Sequence, residues 1–286
     1  MDYSRIEVRP VAGALGAEIA GVDLTRPLDD HAFAEVHRAL LDHLVIFFRD
    51  QTLTPEQHKD FARRFGALDV HPYAKGLPDH PEIIPVTKEA DDRGGNFGGT
   101  WHSDVTFYEK PALGSVLYAL EVPPYGGDTL FANQYLAYEA LSDGLKQTLD
   151  GLTALHNAAR SYGAGGRAAQ RQAQGSKSMA IDIREDSEQT VEHPVVRTHP
   201  ETGRKALFVN HVFTRRFKGW TEEESQPLLD FLYKHAVRPE FTCRFRWKPG
   251  SVAFWDNRCT QHYALNDYHG FARRMHRVTI CGDRPV

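Results

Sequence analysis

The sequence predicts a mainly β fold with flanking helices packed outside it, so a sandwich, a barrel or a jelly roll are the candidate architectures. Three observations lead to this fold class. Many short apolar segments are bounded by turn residues, and several alternate apolar with polar side chains. Helical periodicity is confined to a few segments between them. The chain has 286 residues, of which 41% are hydrophobic, which is enough for a sizeable core.

The first quarter of the chain predicts two strands and two helices. RIEVRPV (5–11) alternates and indicates a strand, and LVIFFRD (44–50) indicates a buried one. Between them, LDDHAFAEVHRALLDH (28–43) carries a helical apolar stripe and an aspartate that can serve as its N-cap. TPEQHKDFARRFG (54–66) predicts a second helix, because a capping box opens it and a glycine ends it.

Strands dominate the rest of the chain. Two segments indicate hairpins, residues 193–210 with a turn around 200–204, and residues 241–257 with a turn at KPGS. The other predicted strands are SVLYALEV (115–122), TLFA (129–132) and RVTICG (277–282), and the other predicted helices are NQYLAYEAL (133–141) and TEEESQPLLDFLYKHA (221–236).

Composition and charge exclude several functions. The net charge of −4 and the isoelectric point of about 6.4 argue against non-specific binding to nucleic acid, which needs a basic face. No apolar run approaches the length that spans a bilayer, and MDYSRIEVRP lacks the apolar region of a signal peptide. Three cysteines, Cys243, Cys259 and Cys281, are too few for a disulfide framework. We therefore expect a cytoplasmic protein with reduced thiols, no membrane partner and no nucleic-acid partner.

A histidine and an aspartate stand two residues apart in GGTWHSDVTF (99–108). Residues two apart in a strand point to the same face, so His102 and Asp104 would project side by side. The spacing alone is weak, because the chain holds three other His-x-acid pairs, one in a predicted helix and two interrupted by proline. This pair alone leads into an apolar-rich strand. It indicates either two metal ligands or an ordinary exposed strand face.

A metal site built on that pair needs a third ligand. Non-haem iron oxygenases use two histidines and one carboxylate on one side of the metal and leave the other positions open. His262, in VAFWDNRCTQHYAL, is the best candidate, because it follows a predicted buried strand among aromatic neighbours. A zinc hydrolase could use the same three ligands.

Several blocks resemble a known family. WHSDVTF, GGDTLF, HPVVRTHPETGRKALFVN, WDNRCTQHYA and RRMHRVTI occur in this order, after GALGAEIAGVDL near the N-terminus. Together they resemble the taurine-dioxygenase-like (TauD/TfdA) family of Fe(II)- and 2-oxoglutarate-dependent dioxygenases. The resemblance spans nearly the whole chain and is weakest at 161–190. It implies a double-stranded β-helix, or jelly roll.

The resemblance also implies a reaction and its cofactors. His102, Asp104 and His262 would hold Fe(II), and Thr129 and Arg273 would bind the distant carboxylate of 2-oxoglutarate. A guanidinium suits this task because it stays charged and binds a carboxylate through two hydrogen bonds. The implied oxidoreductase consumes O2 and 2-oxoglutarate, releases succinate and CO2, and hydroxylates a substrate C–H.

The matching positions also outline a substrate pocket for a small anionic molecule such as a sulfonate, a sulfate ester or an aryloxyalkanoate. In taurine-using members a histidine and an arginine meet the anionic end, and His71 and Arg277 occupy those positions here. Gly98 stands where those members carry an asparagine that helps with the amine. This difference indicates either an alignment offset in a glycine-rich loop or a pocket that favours a bulkier or less polar substrate. The pocket positions implied in all are His71, Tyr73, Gly98, Val105, Phe213 and Arg277.

Two other functions stay open from the sequence, taurine oxidation proper and a non-catalytic jelly-roll binding protein with a vestigial metal site. We expect one domain over residues 1–286. Residues 161–190 are rich in Gly, Ala, Gln and Ser, and they indicate either a tolerated surface insertion or a mobile lid. By the family resemblance we also expect a homo-oligomer, a dimer or a tetramer.

Overall fold

The computed structural model describes residues 3–92, 94–176 and 181–286. The strands of these residues are β1 (Glu7–Pro10), β2 (Ala17–Ala20), β3 (Val45–Phe48), β4 (Ile83–Lys88), β5 (Gly114–Glu121), β6 (Thr129–Asn133), β7 (Thr153–His156), β8 (Val191–Pro194), β9 (Val196–Thr198), β10 (Lys205–Leu207), β11 (Thr214–Phe217), β12 (Thr242–Phe245), β13 (Val252–Asp256), β14 (Thr260–Ala264) and β15 (Arg273–Ile280). The α-helices are α1 (Asp30–His43), α2 (Pro55–Arg63), α3 (Gln134–Glu139), α4 (Asp143–Leu149), α5 (Ala159–Tyr162), α6 (Arg167–Ala173) and α7 (Glu222–Ala236).

Two sheets pack face to face and form the jelly roll. The larger sheet has the order β1-β2-β3-β13-β5-β15-β4, and the smaller one has the order β12-β6-β14. Aromatic rings from both sheets fill the space between them. Phe47 of the larger sheet stacks on Phe245 of the smaller one with ring centroids 3.9 Å apart, and Trp255 meets Phe131 at 5.7 Å. These buried contacts join the two sheets into one core.

Helices cover the outside of the larger sheet, as the sequence pattern predicts. α1 and α2 pack Leu40 and Phe61 against Phe48 and Phe254. Both predicted N-termini are confirmed: Asp29 caps α1 by accepting from the amide of Ala32, and a complete capping box opens α2. α7 likewise begins with the predicted Thr221–Glu224 capping box. None of the helices in the described residues is long and apolar enough to cross a membrane.

The hairpin predicted over 241–257 is wrong. β12 pairs with β6 in the smaller sheet, whereas β13 lies between β3 and β5 in the larger one. The chain therefore crosses from one sheet to the other at residues 246–251. Every residue of β13 is buried, as a central strand with both faces covered requires. The hairpin predicted over 193–210 is confirmed, because β9 pairs with β10.

The start of the chain is tied to α1 by one buried carboxylate. Glu35 accepts from the amides of Ser4, Arg5 and Ile6 and from the hydroxyl of Ser4. Burial alone would raise its pKa, but these donors outweigh burial and lower the pKa from 4.5 to about 2. Because the pKa of Glu35 is lower in the folded chain than in the unfolded one, the ionised side chain stabilises the fold at pH values above 4.5. This stabilisation is lost as the pH falls through the folded-state pKa of about 2.

We therefore expect Glu35→Gln to lower the thermal midpoint at pH 7. The difference from the unaltered protein should shrink as the pH falls from about 4.5 towards about 2, because both chains then carry an uncharged side chain. Thermal melts at a series of pH values measure this. Glu223→Gln, in the exposed first turn of α7, is the matched control and should leave the midpoint unchanged. A constant difference across this pH range would contradict the assignment.

Candidate active site

The two histidines of the predicted metal site face each other across a short bridge between backbones. The amide of His102 donates to the carbonyl of His262 at 3.1 Å, and the amide of His262 donates back at 2.8 Å. β14 carries His262, so this bridge fixes the position of His102 against a rigid strand. The imidazole centroids lie 4.2 Å apart. The two rings thus converge from two paired backbone segments, of which that of His262 belongs to β14.

Asp104 reaches the histidines in a different way from the one predicted. Residues 104–107 form turns instead of a strand, and Val105 has the left-handed φ of 46°. The backbone amide of Asp104 donates to the side-chain oxygen of Asn257 at 3.1 Å, and this bond fixes the position of Asp104. Its Oδ1 lies 3.7 Å from Nε2 of His102 and 3.9 Å from Nε2 of His262. The strand that the sequence predicts here begins only at Gly114.

The protonation states suit a divalent metal ion. Nδ1 of His102 donates to the carbonyl of Thr100 at 2.7 Å, which leaves the lone pair of Nε2 free. Burial lowers the pKa of His262 to about 3, so this ring is neutral at pH 7. Burial alone would raise the pKa of Asp104, but Arg277 and the other groups around the carboxylate, the Ser115 hydroxyl among them, together outweigh burial and lower the pKa. Two neutral imidazoles and one carboxylate, with their ligand atoms within 4.8 Å of one another, fit a divalent transition metal.

Outer contacts orient the carboxylate. Ser115 donates its hydroxyl to Oδ2 of Asp104 at 2.9 Å. Asn257 is itself held by the indole of Trp255, which donates to its side-chain oxygen at 3.0 Å. Arg277 donates to Oδ1 of Asp104 at 2.9 Å, in addition to lining the cavity described below. Sequence reasoning assigned no role to Ser115 or Asn257, because a serine in a strand and an asparagine in a turn are ordinary residues there.

Beside the metal ligands lies a smaller cavity with two buried cations, Arg273 and Arg277, in its wall. His102, His262, Thr129 and Arg273 all line it. Arg273 is 4% exposed, and its Nε and Nη2 have no hydrogen-bond partner among the described residues. A buried guanidinium with unpaired donors fits a carboxylate ligand, since unpaired buried donors are costly. The two residues predicted for the cosubstrate thus share one cavity with the two histidines.

A larger cavity, of about 440 Å³, is lined by His102 and Asp104, and it shares His102, Gly98 and Arg277 with the smaller one. The predicted pocket residues that line it are His71, Gly98, Val105, Phe213 and Arg277. Tyr73 is not among its lining residues. Its ring stacks on Tyr162, which does line the cavity, and its hydroxyl donates to Asp186 at 3.3 Å. Tyr73 therefore supports the wall from behind.

His71 presents a fixed hydrogen-bond donor. Its Nδ1 accepts from the amides of Tyr73 and Ala74, both at 3.1 Å, so the ring proton sits on Nε2. That Nε2 is buried and has no partner among the described residues. Burial lowers the pKa of His71 to about 3, and the ring is neutral at pH 7. A neutral N–H donor of this kind suits an anionic group without adding a charge.

Gly98 has a backbone that side chains rarely adopt. Its φ is +77°, and its carbonyl accepts from the amide of Ala264 at 3.0 Å. A Cβ at this position would lie 3.6 Å from Cε1 of His102, which is an ordinary contact. The constraint is therefore conformational and not steric. A side chain here would stand over the imidazole, so glycine leaves the cavity open next to the metal ligands.

Residues 7–279 match the family described as taurine catabolism dioxygenase TauD, TfdA family. The chain belongs to this family. It is 38% identical over 98% of its length to the alpha-ketoglutarate-dependent sulfate ester dioxygenase of Pseudomonas putida, covering 91% of that protein. It is 37% identical to the alkylsulfatase of Acinetobacter baylyi, covering 98% of this chain and 86% of that one.

The fold comparison agrees. A crystal structure of a taurine dioxygenase from Burkholderia xenovorans superposes with a TM-score of 0.83 and 40% identity, covering 99% of this chain and 91% of that one. The jelly roll predicted from the sequence is confirmed. This TauD/TfdA family member is a 2-oxoglutarate-dependent dioxygenase, and its cofactor and cosubstrates are Fe(II), 2-oxoglutarate and O2.

In this TauD/TfdA dioxygenase, Trp247 contacts and orients Thr129 and Arg273, the two residues predicted to bind 2-oxoglutarate. Its indole Nε1 donates to Oγ1 of Thr129 at 2.9 Å, which leaves the hydroxyl proton of Thr129 free to donate elsewhere. The guanidinium of Arg273 lies over the same indole, 5.8 Å from the ring centroid. The sequence contains no signal for this role, because Trp247 occupies one of several alternating apolar positions.

We expect Trp247→Phe to weaken 2-oxoglutarate binding about tenfold, because Thr129 loses its fixed orientation while the ring under Arg273 remains. Calorimetric titration of the anaerobic Fe(II) protein with 2-oxoglutarate measures this. Trp101→Phe is the matched control, since Trp101 stacks on Tyr263 and lines neither cavity. Equal affinities for the unaltered protein and Trp247→Phe would contradict the role.

A second group of potential ligands, His199, Asp256 and Cys259, does not fit a metal. Both ring nitrogens of His199 are engaged, since Nδ1 accepts from two backbone amides and Nε2 donates to Asp256 at 3.0 Å. Asp256 is also paired with Arg258 through both oxygens. Burial raises the pKa of the Cys259 thiol, consistent with the buried thiol predicted from the sequence. This cluster is a hydrogen-bonded structural network at the end of β13.

Proposed function

We propose that this dioxygenase hydroxylates a C–H bond next to the heteroatom of a small organic anion, with alkyl sulfate esters as the leading class. The observation that carries the proposal is the pair of donors in the larger cavity. The Nε2–H of His71 and the guanidinium of Arg277 both line this cavity, together with His102 and Asp104. The names of the two curated relatives, a sulfate ester dioxygenase and an alkylsulfatase, favour sulfate esters within that class.

In this proposal His102, Asp104 and His262 hold the iron, and Arg273 and Thr129 bind the distant carboxylate of 2-oxoglutarate. When bound, the iron with 2-oxoglutarate and O2 would supply the oxidant that hydroxylates the C–H bond. Succinate and CO2 would be released from 2-oxoglutarate in the same reaction. The protein residues set the geometry. Ser115 and Arg277 keep both oxygens of Asp104 hydrogen-bonded, which fixes the carboxylate towards the two imidazoles.

The substrate residues act by orientation and by exclusion of water. His71 and Arg277 would hold the sulfate oxygens, and the carbon chain would lie along an apolar wall that includes Phe97, Val105 and Phe213. Hydroxylation of R–CH2–O–SO3⁻ gives R–CH(OH)–O–SO3⁻. The C–O bond to sulfate then breaks as the hydroxyl loses its proton, and the products are R–CHO and hydrogen sulfate. No further oxidant is needed for that step.

Taurine is a poorer fit to this cavity than an alkyl sulfate. Its ammonium group would enter a space lined by Arg167, Arg171 and Arg277, and Asp104 is the one carboxylate among the described lining residues. Asp104 already accepts from Arg277. Gly98 offers no side-chain partner for an amine either. The charge balance of the cavity therefore supports an anion without an ammonium group.

The proposal is tested with a substrate panel. The purified protein is loaded with Fe(II) without air and then supplied with 2-oxoglutarate and O2, and succinate is measured with taurine, alkylsulfonates, alkyl sulfates and aryloxyalkanoates in turn. We expect alkyl sulfates to stimulate succinate formation most, with one sulfate released for each succinate. Stimulation by taurine alone would overturn the proposal. The same succinate rate with and without every compound would place the substrate outside these classes.

Arg277 offers a sharper test of the anion site. We expect Arg277→Gln to raise the KM for the sulfate ester at least about 30-fold, and the KM for 2-oxoglutarate much less, because a buried charge pair of this type contributes about 2 kcal/mol or more. Steady-state kinetics with each compound varied in turn measures this. A larger effect on 2-oxoglutarate than on the ester would mean that the roles of Arg273 and Arg277 are interchanged.

Three broader assignments remain proposals. We propose a single domain in which the described part of 161–190 forms one wall of the larger cavity, since Ser161, Tyr162 and Arg167 line it. The two alternatives for 161–190, a mobile lid and a tolerated surface insertion, both stay predictions, and residues 177–180 of that segment lie outside the described residues. The free thiols support a reducing, cytoplasmic location. A homo-oligomer, dimer or tetramer, is the expectation that light scattering would test.

A further inference from the structure

One helix turn adds two cations to the larger cavity. Arg167 and Arg171 stand four residues apart on α6, so their side chains share one face of the helix. Both line the cavity, and so does Gln170 between them. The described residues offer neither arginine a carboxylate within ion-pair distance. Arg167 instead meets Nδ1 of His211 at 3.2 Å, and Arg171 donates to the carbonyl of Asn96 at 2.9 Å.

Arg171 is fixed next to the anion site that the proposed function uses. Its guanidinium lies 5.7 Å from the centroid of the Phe97 ring, and that of Arg277 lies 5.5 Å from the same centroid. The Asn96 carbonyl that holds Arg171 belongs to a loop anchored to residues 264 and 265, because the amide group of Asn96 donates to both of their carbonyls. Arg171 and Arg277 thus both lie within about 6 Å of the same ring centroid, that of Phe97.

The charges of this cavity do not balance for a substrate with one negative charge. Arg277 already has Asp104 as its partner at 2.9 Å. A sulfate group at His71 and Arg277 would add one negative charge, and the described lining residues offer the two arginines of α6 no carboxylate of their own. Asp92 acts on Arg171 alone, from outside the cavity lining. Burial lowers the pKa of both arginines, which expresses the cost of keeping them charged away from water, although an arginine stays protonated at neutral pH. A second anionic group on the substrate would remove that imbalance.

We propose that Arg167 and Arg171 form a second anion subsite, and that the preferred substrate carries an anionic group, such as a carboxylate, at the end away from the reacting carbon. This inference rests on the proposed function for the sulfate end. It adds that the substrate spans the cavity from Arg277 to α6. The second anion takes no part in the reaction and contributes affinity and orientation.

The test compares two esters of the same chain length, hexyl sulfate and 6-sulfooxyhexanoate. Each is titrated calorimetrically into the anaerobic protein loaded with Fe(II) and 2-oxoglutarate, and succinate formation is measured separately. We expect 6-sulfooxyhexanoate to bind at least about tenfold more tightly than hexyl sulfate, because charge-assisted hydrogen bonds of this kind add more than about 1.4 kcal/mol. Arg167→Gln and Arg171→Gln should each reduce that ratio, and the double variant should bring it close to one.

Arg184→Gln is the matched control. It removes a guanidinium from the same part of the chain, but Arg184 pairs with Asp186 at 2.6 Å and does not line the cavity, so the tenfold ratio should persist. A ratio of one or less in the unaltered protein would overturn the inference. So would equal weakening of both esters by Arg171→Gln, because α6 would then support only the cavity wall or the sulfate end.

Failure of the proposed function looks different from failure of this inference. If neither sulfate ester binds or stimulates succinate while an aryloxyalkanoate does, the sulfate assignment is wrong. The same comparison is then made with that acid and its analogue bearing a ring carboxylate. Preference for the dianion, abolished by Arg167→Gln and Arg171→Gln together, would support the second subsite even then, and no preference would overturn it.

Discussion

Replacing His102 with alanine should abolish substrate-dependent succinate formation and weaken Fe(II) binding by more than about 100-fold. The reason is geometric. Nε2 of His102 is one of three ligand atoms that lie within 4.8 Å of one another, and no other imidazole among the described residues is close enough to replace it. Loss of a partner beyond the ligands costs up to about 100-fold in metal affinity, and loss of a ligand should cost more.

Metal content after dialysis against limiting Fe(II), and titration with Fe(II) under anaerobic conditions, measure this effect without turnover. His269→Ala is the matched control, because His269 is exposed and lines neither cavity. It should bind iron like the unaltered protein. A melting curve shows that His102→Ala is folded. Full iron binding by folded His102→Ala would mean that the metal sits elsewhere.

Replacing Arg273 with glutamine should weaken 2-oxoglutarate binding by at least about 30-fold and leave Fe(II) binding intact. Arg273 is buried, and two of its donor atoms are unpaired among the described residues. Water therefore competes little for the hydrogen bonds between this guanidinium and a bound carboxylate. Truncating one partner of a buried, hydrogen-bonded charge pair costs about 2–5 kcal/mol, which corresponds to at least about 30-fold in affinity. Titration of the Fe(II) protein with 2-oxoglutarate measures the change.

The neighbouring arginine provides the control. Arg274 points to the other face of β15, where it pairs with Glu89 at 2.8 Å and with Glu121. Arg274→Gln should therefore bind 2-oxoglutarate normally. A loss of affinity in Arg274→Gln equal to that in Arg273→Gln would show that the effect comes from disturbing the strand. Unchanged affinity in Arg273→Gln would remove Arg273 from the cosubstrate site.

Elements that depend on contacts between residues close in sequence are predicted correctly. The capping boxes at Thr54 and Thr221 depend on contacts within three residues, and both occur in the structure as expected. The hairpin at 241–257 fails because its alternation is equally consistent with two strands of one sheet or of two facing sheets. β12 and β13 both present apolar side chains to the same core, and the pattern of one segment cannot distinguish its partners.

The metal ligands illustrate a correct grouping reached by a wrong local structure. His102 and Asp104 were expected to share a strand face, whereas a turn with a left-handed Val105 follows Asp104. Their convergence depends on contacts distant in sequence, the backbone bridge to His262 and the amide bond to Asn257. Spacing alone could not supply either contact. The order of several sequence blocks carried the inference instead.

The two arginines of α6 were beyond sequence reasoning for another reason. They lie in a stretch rich in Gly, Ala, Gln and Ser, and in such a stretch the sequence predicts that an arginine is an ordinary solvent-exposed side chain. Their position in the cavity depends on how α6 packs against Phe97 and the loop that carries it. Only folding brings Arg171 close to Phe97, whose ring also lies near Arg277.

The coupling of succinate formation to sulfate release distinguishes a dioxygenase from a hydrolase. The Fe(II)-loaded protein is given 2-oxoglutarate, O2 and an alkyl sulfate, and succinate and inorganic sulfate are quantified together, with parallel reactions that lack O2 or contain Zn(II) in place of Fe(II). We expect equal amounts of succinate and sulfate, and neither product without O2 or with zinc. Sulfate released by the zinc protein without succinate would contradict this expectation, because the same three ligands would then serve a hydrolase.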